Sequence, residues 1–174
     1  MPSGATHDRI TLLSLPLVSG FTLLTSRSAS ITLCLAGSFL FSGLMFGPDL
    51  DLYSVQFKRW GYLRWIWRPY QKSMRHRSWF SHGPIIGTLI RLAYLGCWVM
   101  LLGSIWNWIA ILNHWPYWSW QQVQKQLEQL TLQYFWQGIA ILAGLELGAL
   151  SHSWSDIIVS VWKKRRKPHR KRRP

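Results

Sequence analysis

Residues 92–112, LAYLGCWVMLLGSIWNWIAIL, decide the fold that this sequence predicts. The stretch has no charged residue and matches the roughly 20 apolar residues that a helix needs to cross a bilayer. Residues 10–25 and 31–46 are also uncharged, and residues 134–150 carry Glu146 as their only charge. We therefore expect an all-α integral membrane bundle with about four transmembrane helices. The alternative is a soluble helical protein, but a soluble core of this length would not bury so many apolar runs.

Positive charge is concentrated in two blocks of a chain with a formal net charge of +14. One block lies between the second and third apolar runs. The other is the polybasic tail at residues 163–174, which we expect to be disordered and separate from a membrane domain at residues 1–162. Because Lys and Arg are enriched in cytoplasmic loops, both blocks are expected in the cytoplasm, and four spans place the N- and C-termini there as well. Residues 1–8 carry no positive charge, which favours an uncleaved first span over a signal peptide.

The segment at residues 53–80 interleaves basic residues with Tyr, Trp and Phe. Aromatic rings settle at headgroup depth and cations meet anionic lipids, so this segment is expected along the inner membrane surface. Anionic lipid headgroups are thus the expected partners, and nucleic acid is not, because topology and lipid already account for the basic tail. Residues 120–134 carry an apolar stripe at helical spacing, which predicts a helix on the outer surface or an outward extension of the fourth span. Cys34 and Cys97 lie within apolar runs and are expected to be buried thiols.

Most of the six acidic residues lie beside a histidine or beside each other, in groups that flank the expected spans. The topology inferred from Lys and Arg alone places four such groups at the cytoplasmic face. Imidazoles and carboxylates together suit zinc, manganese or iron, and several carboxylates allow one or two ions. The sequence therefore predicts a site for a divalent metal ion at that face. The groups are His7 with Asp8, Asp49 with Asp51, His76 with His82, and His152 with Asp156.

Each group also has an ordinary structural explanation. Asp8 suits the N-cap of a helix, and the Asp49 pair suits a turn after Gly47-Pro48. His76 lies between two arginines and could be one more basic surface group. His152 and Asp156 are four residues apart, which also makes a simple polar pair on one helix face. The metal hypothesis rests on the convergence of all four groups.

Four stretches together resemble a known family. They are SGATHD at residues 3–8, PDLD at 48–51, HRSWFSHGP at 76–84 and SHSWSD at 151–156. This set is similar to an uncharacterised family of bacterial, largely cyanobacterial, membrane metal-binding proteins, whose motif order is similar to that of membrane-bound metal-dependent hydrolases. The resemblance covers most of residues 3–156 and excludes the tail and the outer aromatic segment. It implies that the metal-site residues are His7, Asp49, His76, His82, His152 and Asp156.

Two functions follow from a metal site at the membrane surface. In the first, a metal-dependent hydrolase faces the headgroup layer and acts on a phospholipid or another phosphorylated amphiphile. Arg75 and Arg77 then hold the phosphate, and Asp51 or Glu146 is the candidate general base. In the second, the metal joins the cytoplasmic ends of the helices in a non-catalytic scaffold, whose basic loop and tail recruit lipid or partners.

Overall fold

The computed structural model describes residues 4–75 and 78–166, apart from the side chains of residue 5 and of residues 156–166. Within these residues the chain is helical and contains no strand, which confirms the prediction of an all-α fold. The long helices are α1 (Gly4–Ser26), α2 (Ala29–Leu44), α6 (Ile86–Leu112), α7 (Trp120–Gln133) and α8 (Phe135–Arg166). Short elements join α2 to α6: a 3-10 helix at Pro48–Asp51, α3 (Val55–Arg59), a 3-10 helix at Gly61–Trp67, α4 (Arg68–Ser73) and α5 (Trp79–His82).

Three helical stretches of the described chain are long and apolar enough to cross a membrane: Thr6–Ser26, Ala29–Asp51 and Ile86–Leu112. They contain the first three apolar runs predicted from the sequence. Many of their large apolar side chains are exposed, as is typical of surfaces that contact lipid or another apolar partner. The fourth predicted run lies inside α8, which is not among the three, so a fourth span stays a prediction. Because α8 continues to Arg166, the first residues of the predicted tail are helical.

Close packing of α8 against α2 sets the position of the candidate site. A Cβ atom on Gly148 would lie 2.5 Å from the carbonyl oxygen of Phe39, and one on Gly144 would collide with the carbonyl of Leu35. Small residues four positions apart let two helix backbones approach, as they do at helix interfaces in membranes. The Ser42 hydroxyl then donates a hydrogen bond to the Leu145 carbonyl across the interface. Helix α1 packs against both α2 and α8, so the three helices form one bundle.

An aromatic core closes one end of this bundle. Its rings meet edge to face, with centroids 5.8 Å apart for Phe46 and Trp67 and 5.6 Å apart for Trp67 and Tyr70. The segment expected along the membrane surface is therefore divided, because part of it is packed inside the fold. Burying the large rings against the end of α2 removes more apolar area from water than a surface position does. The buried core residues are Phe46, Leu50, Phe57, Trp67, Tyr70 and Leu145, whereas Tyr53, Tyr62, Trp65, Trp79 and Phe80 are exposed.

A buried arginine joins α6 to the segment that precedes it. Arg91 is only 1% exposed, and its guanidinium donates to the Ser81 carbonyl at 2.9 Å and to the Thr88 hydroxyl at 3.0 Å. The same group lies over the Phe46 ring, 5.7 Å from its centroid. Ser81 belongs to α5 and is followed by His82. Arg91 therefore also fixes the position of His82. Helix α6 otherwise makes few contacts with the long helices.

Helix α7 corresponds to the amphipathic segment predicted from residue 120. It begins with a capping box, in which the Ser119 hydroxyl accepts from the Gln122 amide and the Gln122 side chain accepts from the Ser119 amide. None of its residues is buried. Its position on the outer membrane surface stays a prediction.

Candidate metal centre

Five of the residues predicted from the sequence lie together at the end of the bundle. They come from four separate elements: α1 begins here, α5 ends here, the 3-10 helix turns here, and α8 passes through. His152 lies on α8, His7 on the first turns of α1, and His82 is the last residue of α5. Asp49 and Asp51 belong to the 3-10 helix that follows α2. The grouping that the topology argument predicted is therefore present in the geometry of these five residues.

The local sequence explains why both aspartates point to one place. Pro48 cannot continue α2 and begins the 3-10 helix instead. A Cβ on Gly47 would collide with the side-chain amide of Gln56, so a larger residue there would displace that side chain. Gln56 is itself buried and donates to the Gly43 carbonyl at 3.0 Å. The turn holding Asp49 is thereby tied to the last residues of α2.

Asp49 is the centre of the cluster. Its Oδ2 lies 3.1 Å from Nε2 of His152, and its Oδ1 lies 3.7 Å from Nε2 of His82. The other ring nitrogen of His82, Nδ1, lies 3.7 Å from Oδ2 of Asp51 and 2.9 Å from the Ser81 hydroxyl. The Asp51 side chain is completely buried. The Ser81 hydroxyl, at hydrogen-bond distance, holds Nδ1 of His82, and Nε2 of the same ring faces Asp49.

His7 joins the cluster by stacking. Its ring lies parallel to that of His152, with the centroids 3.8 Å apart. The Ser155 hydroxyl lies 2.6 Å from His7 Nδ1 and donates to the His152 carbonyl at 2.7 Å. Because a hydroxyl has one hydrogen, Ser155 accepts from His7 Nδ1, which leaves the lone pair on Nε2. A metal ligand needs a neutral imidazole whose second nitrogen is held by such a partner.

The polar atoms of this cluster test whether a metal ion fits. Asp49 Oδ1 and His152 Nδ1 are buried and have no hydrogen bond to any described residue, whereas His152 Nε2 faces Asp49 Oδ2. Each such atom costs about 1–3 kcal/mol when left without a partner. The 3.1 Å between His152 Nε2 and Asp49 Oδ2 matches two ligand atoms sharing one ion, which lie about 3.0–3.4 Å apart for bonds of about 2.0–2.2 Å. The pair of Asp49 and His152 therefore supplies two donors that suit a divalent cation.

The donors form a chain of pairs rather than a ring. No three His, Cys, Asp or Glu side chains within the described residues are grouped closely enough to hold one ion between them. Two predicted ligands cannot be placed: His76 lies outside the described residues, and so does the side chain of Asp156. The continued helix that the spacing of His152 and Asp156 predicts is present in α8.

A cavity of about 260 Å³ opens beside His7, Asp49 and His152. Its rim carries Asp8, whose carboxylate accepts two hydrogen bonds from Arg59, one of them at 2.9 Å. This ion pair raises the pKa of Arg59 above its ordinary value. The site is therefore accessible from outside on the side of His152. The lining residues are Gly4, His7, Asp8, Gly43, Asp49, Tyr53, Ser54, Val55, Gln56, Lys58 and His152.

The remaining predicted residues lie at the margin of the cluster. Glu146 accepts a hydrogen bond at 2.9 Å from the backbone amide of Ile85, which has a left-handed φ of 62° at the start of α6. Glu146 also lines a pocket of about 10 Å³ together with Ser81 and His82. Arg75 is exposed, and its backbone carbonyl accepts from the Ser81 hydroxyl. Arg77 lies outside the described residues.

Four contributors to the site were not predicted from the sequence: Ser81, Ser155, Gln56 and Arg91. Ser155 follows His152 by three positions, so helical spacing places it on the same face and could have identified it. Arg91 is a charged residue at the margin of an uncharged run. A charge in this position indicates a functional role or a polar partner for the side chain. Ser81 and Gln56 have no such signal, because their roles depend on tertiary contacts.

Comparison with known proteins agrees with a metal centre. An uncharacterized protein of Aquifex aeolicus (strain VF5) is 40% identical over 58 residues, which cover 33% of this chain and 40% of that protein. This chain thus matches less than half of the length of that relative. No solved structure matches the chain. Residues 2–166 match the model of a family described as "Uncharacterized metal-binding protein (DUF2227)", and this chain belongs to that family.

Proposed function

We propose that the chain is a membrane-embedded, metal-dependent hydrolase whose site faces the cytoplasmic headgroup layer. The observation that carries this proposal is the cavity that reaches His7, Asp49 and His152. Structural metal sites are closed, whereas catalytic sites keep one side open to water and substrate. An open cavity against unsatisfied imidazole and carboxylate atoms favours catalysis over a purely structural role.

Asp49 and His152 are the pair that would hold the ion, with His7 and His82 as neighbouring donors and with His76 and Asp156 added by the resemblance. This mixed set of nitrogen and oxygen donors suits zinc, manganese or iron. A divalent ion in such a site polarises the ester or phosphoryl group and makes a bound water nucleophilic near neutral pH. The side chains position this chemistry: Ser155 fixes the ring of His7, and Ser81 holds the ring of His82.

Asp51 and Glu146 are the two candidates for the general base. The sequence predicts either residue in this role, and the surroundings of their carboxylates differ. Asp51 is fully buried against His82 Nδ1, which suits an orienting carboxylate. Glu146 Oε1 holds the start of α6, while its Oε2 is buried without a hydrogen bond among the described residues. Comparing Asp51→Asn with Glu146→Gln separates the two, because loss of an orienting group weakens metal binding and loss of a base lowers kcat alone.

The substrate class follows from charge and location. Lys58 lines the cavity and lies over the Tyr53 ring, 5.0 Å from its centroid, so a cation stands at the entrance to the metal donors. The chain as a whole is strongly basic. A phospholipid or another phosphorylated amphiphile is the substrate that such an entrance at a membrane surface favours. Arg75 and Arg77 remain candidates for holding its phosphate.

The proposed topology has four spans, with the fourth in the first half of α8 and with both termini in the cytoplasm. Its support is that an even number of spans, set by the positive-inside rule, brings the polar groups to one end of the bundle. Anionic lipids are the proposed partners of the exposed basic residues between α2 and α6 and of the C-terminal tail.

A second candidate function is a metal-stapled scaffold without turnover. One observation favours it, because the donors come from four elements. Metal ligation by these donors would join α1, α5, α8 and the 3-10 helix. Metal binding in such an arrangement adds directly to the folding free energy. Stoichiometric metal with no turnover on any phosphoester would support this second function.

The proposal is tested by assaying the purified chain, without a polyhistidine tag, on phosphatidic acid in mixed micelles and on p-nitrophenyl phosphate. We expect turnover with bound metal, and a loss of at least about 100-fold in His152→Ala with folding intact. His114→Ala is the matched control, because His114 is exposed beyond α6, and it should retain full activity. A His152→Ala protein that lacks metal yet keeps its activity would refute the hydrolase.

A further inference from the structure

Gln56 is a buried polar side chain in the wall of the cavity that reaches His152. It is only 4% exposed and lines this cavity of about 260 Å³. Its Nε2 donates to the Gly43 carbonyl at 3.0 Å, whereas its Oε1 is buried and accepts no hydrogen bond from any described residue. A buried acceptor without a donor costs free energy, which an apolar side chain of similar size would avoid.

The orientation of the Gln56 amide is fixed by its neighbours. Nε2 is the atom that can donate to the Gly43 carbonyl, so the amide cannot be turned over without loss of that bond. The same amide lies against the turn that precedes Asp49, because a Cβ on Gly47 would collide with it. Oε1 is therefore an acceptor of fixed orientation in the cavity wall.

The cavity wall also supplies a cation. Lys58 follows Gln56 by two positions in α3 and lines the same cavity. The carboxylate of Asp8, on the rim, forms an ion pair with Arg59 and so does not neutralise Lys58. A phosphate group is therefore attracted to this cavity, and the Gln56 acceptor remains for a donor elsewhere in the same ligand.

The aromatic ring in the wall is unsuited to a quaternary ammonium group. Nζ of Lys58 lies over the Tyr53 ring, 5.0 Å from its centroid, so one face of that ring already carries a positive charge. The Phe57 ring packs against Tyr53 as well, with the centroids 5.4 Å apart. Proteins bind quaternary ammonium groups with open aromatic faces, and no second Tyr, Trp or Phe is among the described residues that line the cavity.

We infer that the cavity recognises a phosphorylated headgroup through a hydrogen bond from the headgroup to Gln56 Oε1, with Lys58 at the phosphate. This inference rests on the proposed function, because it takes the cavity as the place where the substrate binds. It adds the chemical class of the headgroup, which carries N–H or O–H donors as ethanolamine and glycerol do. A bound donor supplies the partner that Oε1 lacks, whereas the trimethylammonium group of choline leaves Oε1 unpaired.

A matched pair of ligands tests the inference on the wild-type protein. Ethanolamine phosphate and choline phosphate carry the same charges near neutral pH, but only ethanolamine phosphate has N–H donors. Each is titrated calorimetrically into the full-length, untagged, metal-loaded chain in detergent. We expect ethanolamine phosphate to bind at least about 10-fold more tightly, because its ammonium group donates to the unpaired Oε1. Equal affinities, or no binding of either compound, would overturn the inference.

The variant Gln56→Met separates this hydrogen bond from the larger size of choline. Methionine is apolar and of similar length, so the preference for ethanolamine phosphate should be lost. Tyr53→Phe is the matched control, since it removes another polar group from the cavity wall, keeps the ring beneath Lys58 and should retain the wild-type ratio. The ratio of two affinities within one variant does not depend on the fraction of folded protein. A preference that survives in Gln56→Met would overturn the inference.

Phosphatidylethanolamine and phosphatidylcholine in mixed micelles form the corresponding pair of lipids. The same preference in this pair supports a lipid headgroup as the ligand, and a preference confined to the soluble pair supports the same recognition of a free phosphorylated compound. Turnover of p-nitrophenyl phosphate without any headgroup preference would refute this inference and leave the hydrolase intact. A headgroup preference without turnover of any phosphoester would refute the hydrolase but not the recognition.

Discussion

The Ser155 hydroxyl lies 2.6 Å from Nδ1 of His7 and joins α8 to the first turns of α1. The same hydroxyl donates to the His152 carbonyl, so its lone pairs are available to the His7 ring. One serine therefore fixes the tautomer of His7 and the spacing between two stacked imidazoles. The orientation of the His7 ring therefore depends on Ser155, which is not itself a candidate metal ligand.

Replacing Ser155 by alanine should weaken metal binding without removing a donor. Loss of such a supporting hydrogen bond typically costs about 10–100-fold in metal affinity, because the ring is no longer held in the ligating tautomer. Titration of metal-depleted protein with Zn²⁺ measures the effect. Ser151→Ala is the matched control, since the Ser151 hydroxyl donates to the carbonyl of Gly148 in its own helix. Equal affinities in the two variants would contradict the role assigned to Ser155.

The close approach of α2 and α8 predicts that Gly148 tolerates no side chain. A Cβ there lies 2.5 Å from a backbone oxygen of α2, so Gly148→Ala must push the helices apart. We expect a loss of roughly 1–3 kcal/mol in the free energy of unfolding in detergent, together with weaker metal binding because His152 moves away from Asp49. Gly138→Ala is the control: nothing lies within 4 Å of its Cβ, and alanine is the better helix former. A stable Gly148→Ala protein with normal metal content would show that the interface is looser than described.

Arg91 should contribute to stability although it touches no metal donor. Arg91→Met removes hydrogen bonds to the Ser81 carbonyl and the Thr88 hydroxyl and leaves both buried. Hydrogen bonds from charged groups contribute about 1.5–3 kcal/mol each, so we expect a loss of roughly 2–4 kcal/mol. Thermal unfolding in detergent measures it, with the exposed Arg64→Met as the control, whose change should stay within about 0.5 kcal/mol. If Arg91→Met and the wild type had the same melting temperature, Arg91 would not contribute to stability.

Metal removal should destabilise the wild-type protein and leave His152→Ala unaffected. An ion that binds only the folded state, at a concentration of about 100 times its Kd, stabilises that state by about 2.7 kcal/mol. Adding a chelator should therefore lower the melting temperature, and adding Zn²⁺ back should restore it. A melting temperature that does not respond to either treatment would argue that His152 and Asp49 form an ordinary ion pair.

Long apolar runs and the distribution of Lys and Arg were sufficient to predict much of this protein. The uncharged stretch at residues 92–112 lies within α6, and the expected topology predicted that His7, Asp49, His82 and His152 lie near one another, as they do. Hydrophobicity is read within one stretch of sequence, and basic residues are counted loop by loop. Neither signal requires knowledge of tertiary contacts.

Other features could not be predicted because they depend on packing between distant segments. Phe57 and Trp67 have the composition of a membrane-surface segment, yet they are buried against Phe46 and the end of α2. The contacts of the two Asp49 oxygens depend on where the end of α5 and the middle of α8 lie relative to the 3-10 helix. Spacing along the sequence does not contain such relations, since they are set by the tertiary fold.

The shared ligation of Asp49 and His152 is tested most directly by calorimetric titration of metal-depleted, untagged protein with Zn²⁺. The account predicts saturable binding to the wild type, an affinity at least about 100-fold weaker in His152→Ala, and unchanged binding in His114→Ala. The same binding isotherm for the wild type and His152→Ala would contradict it.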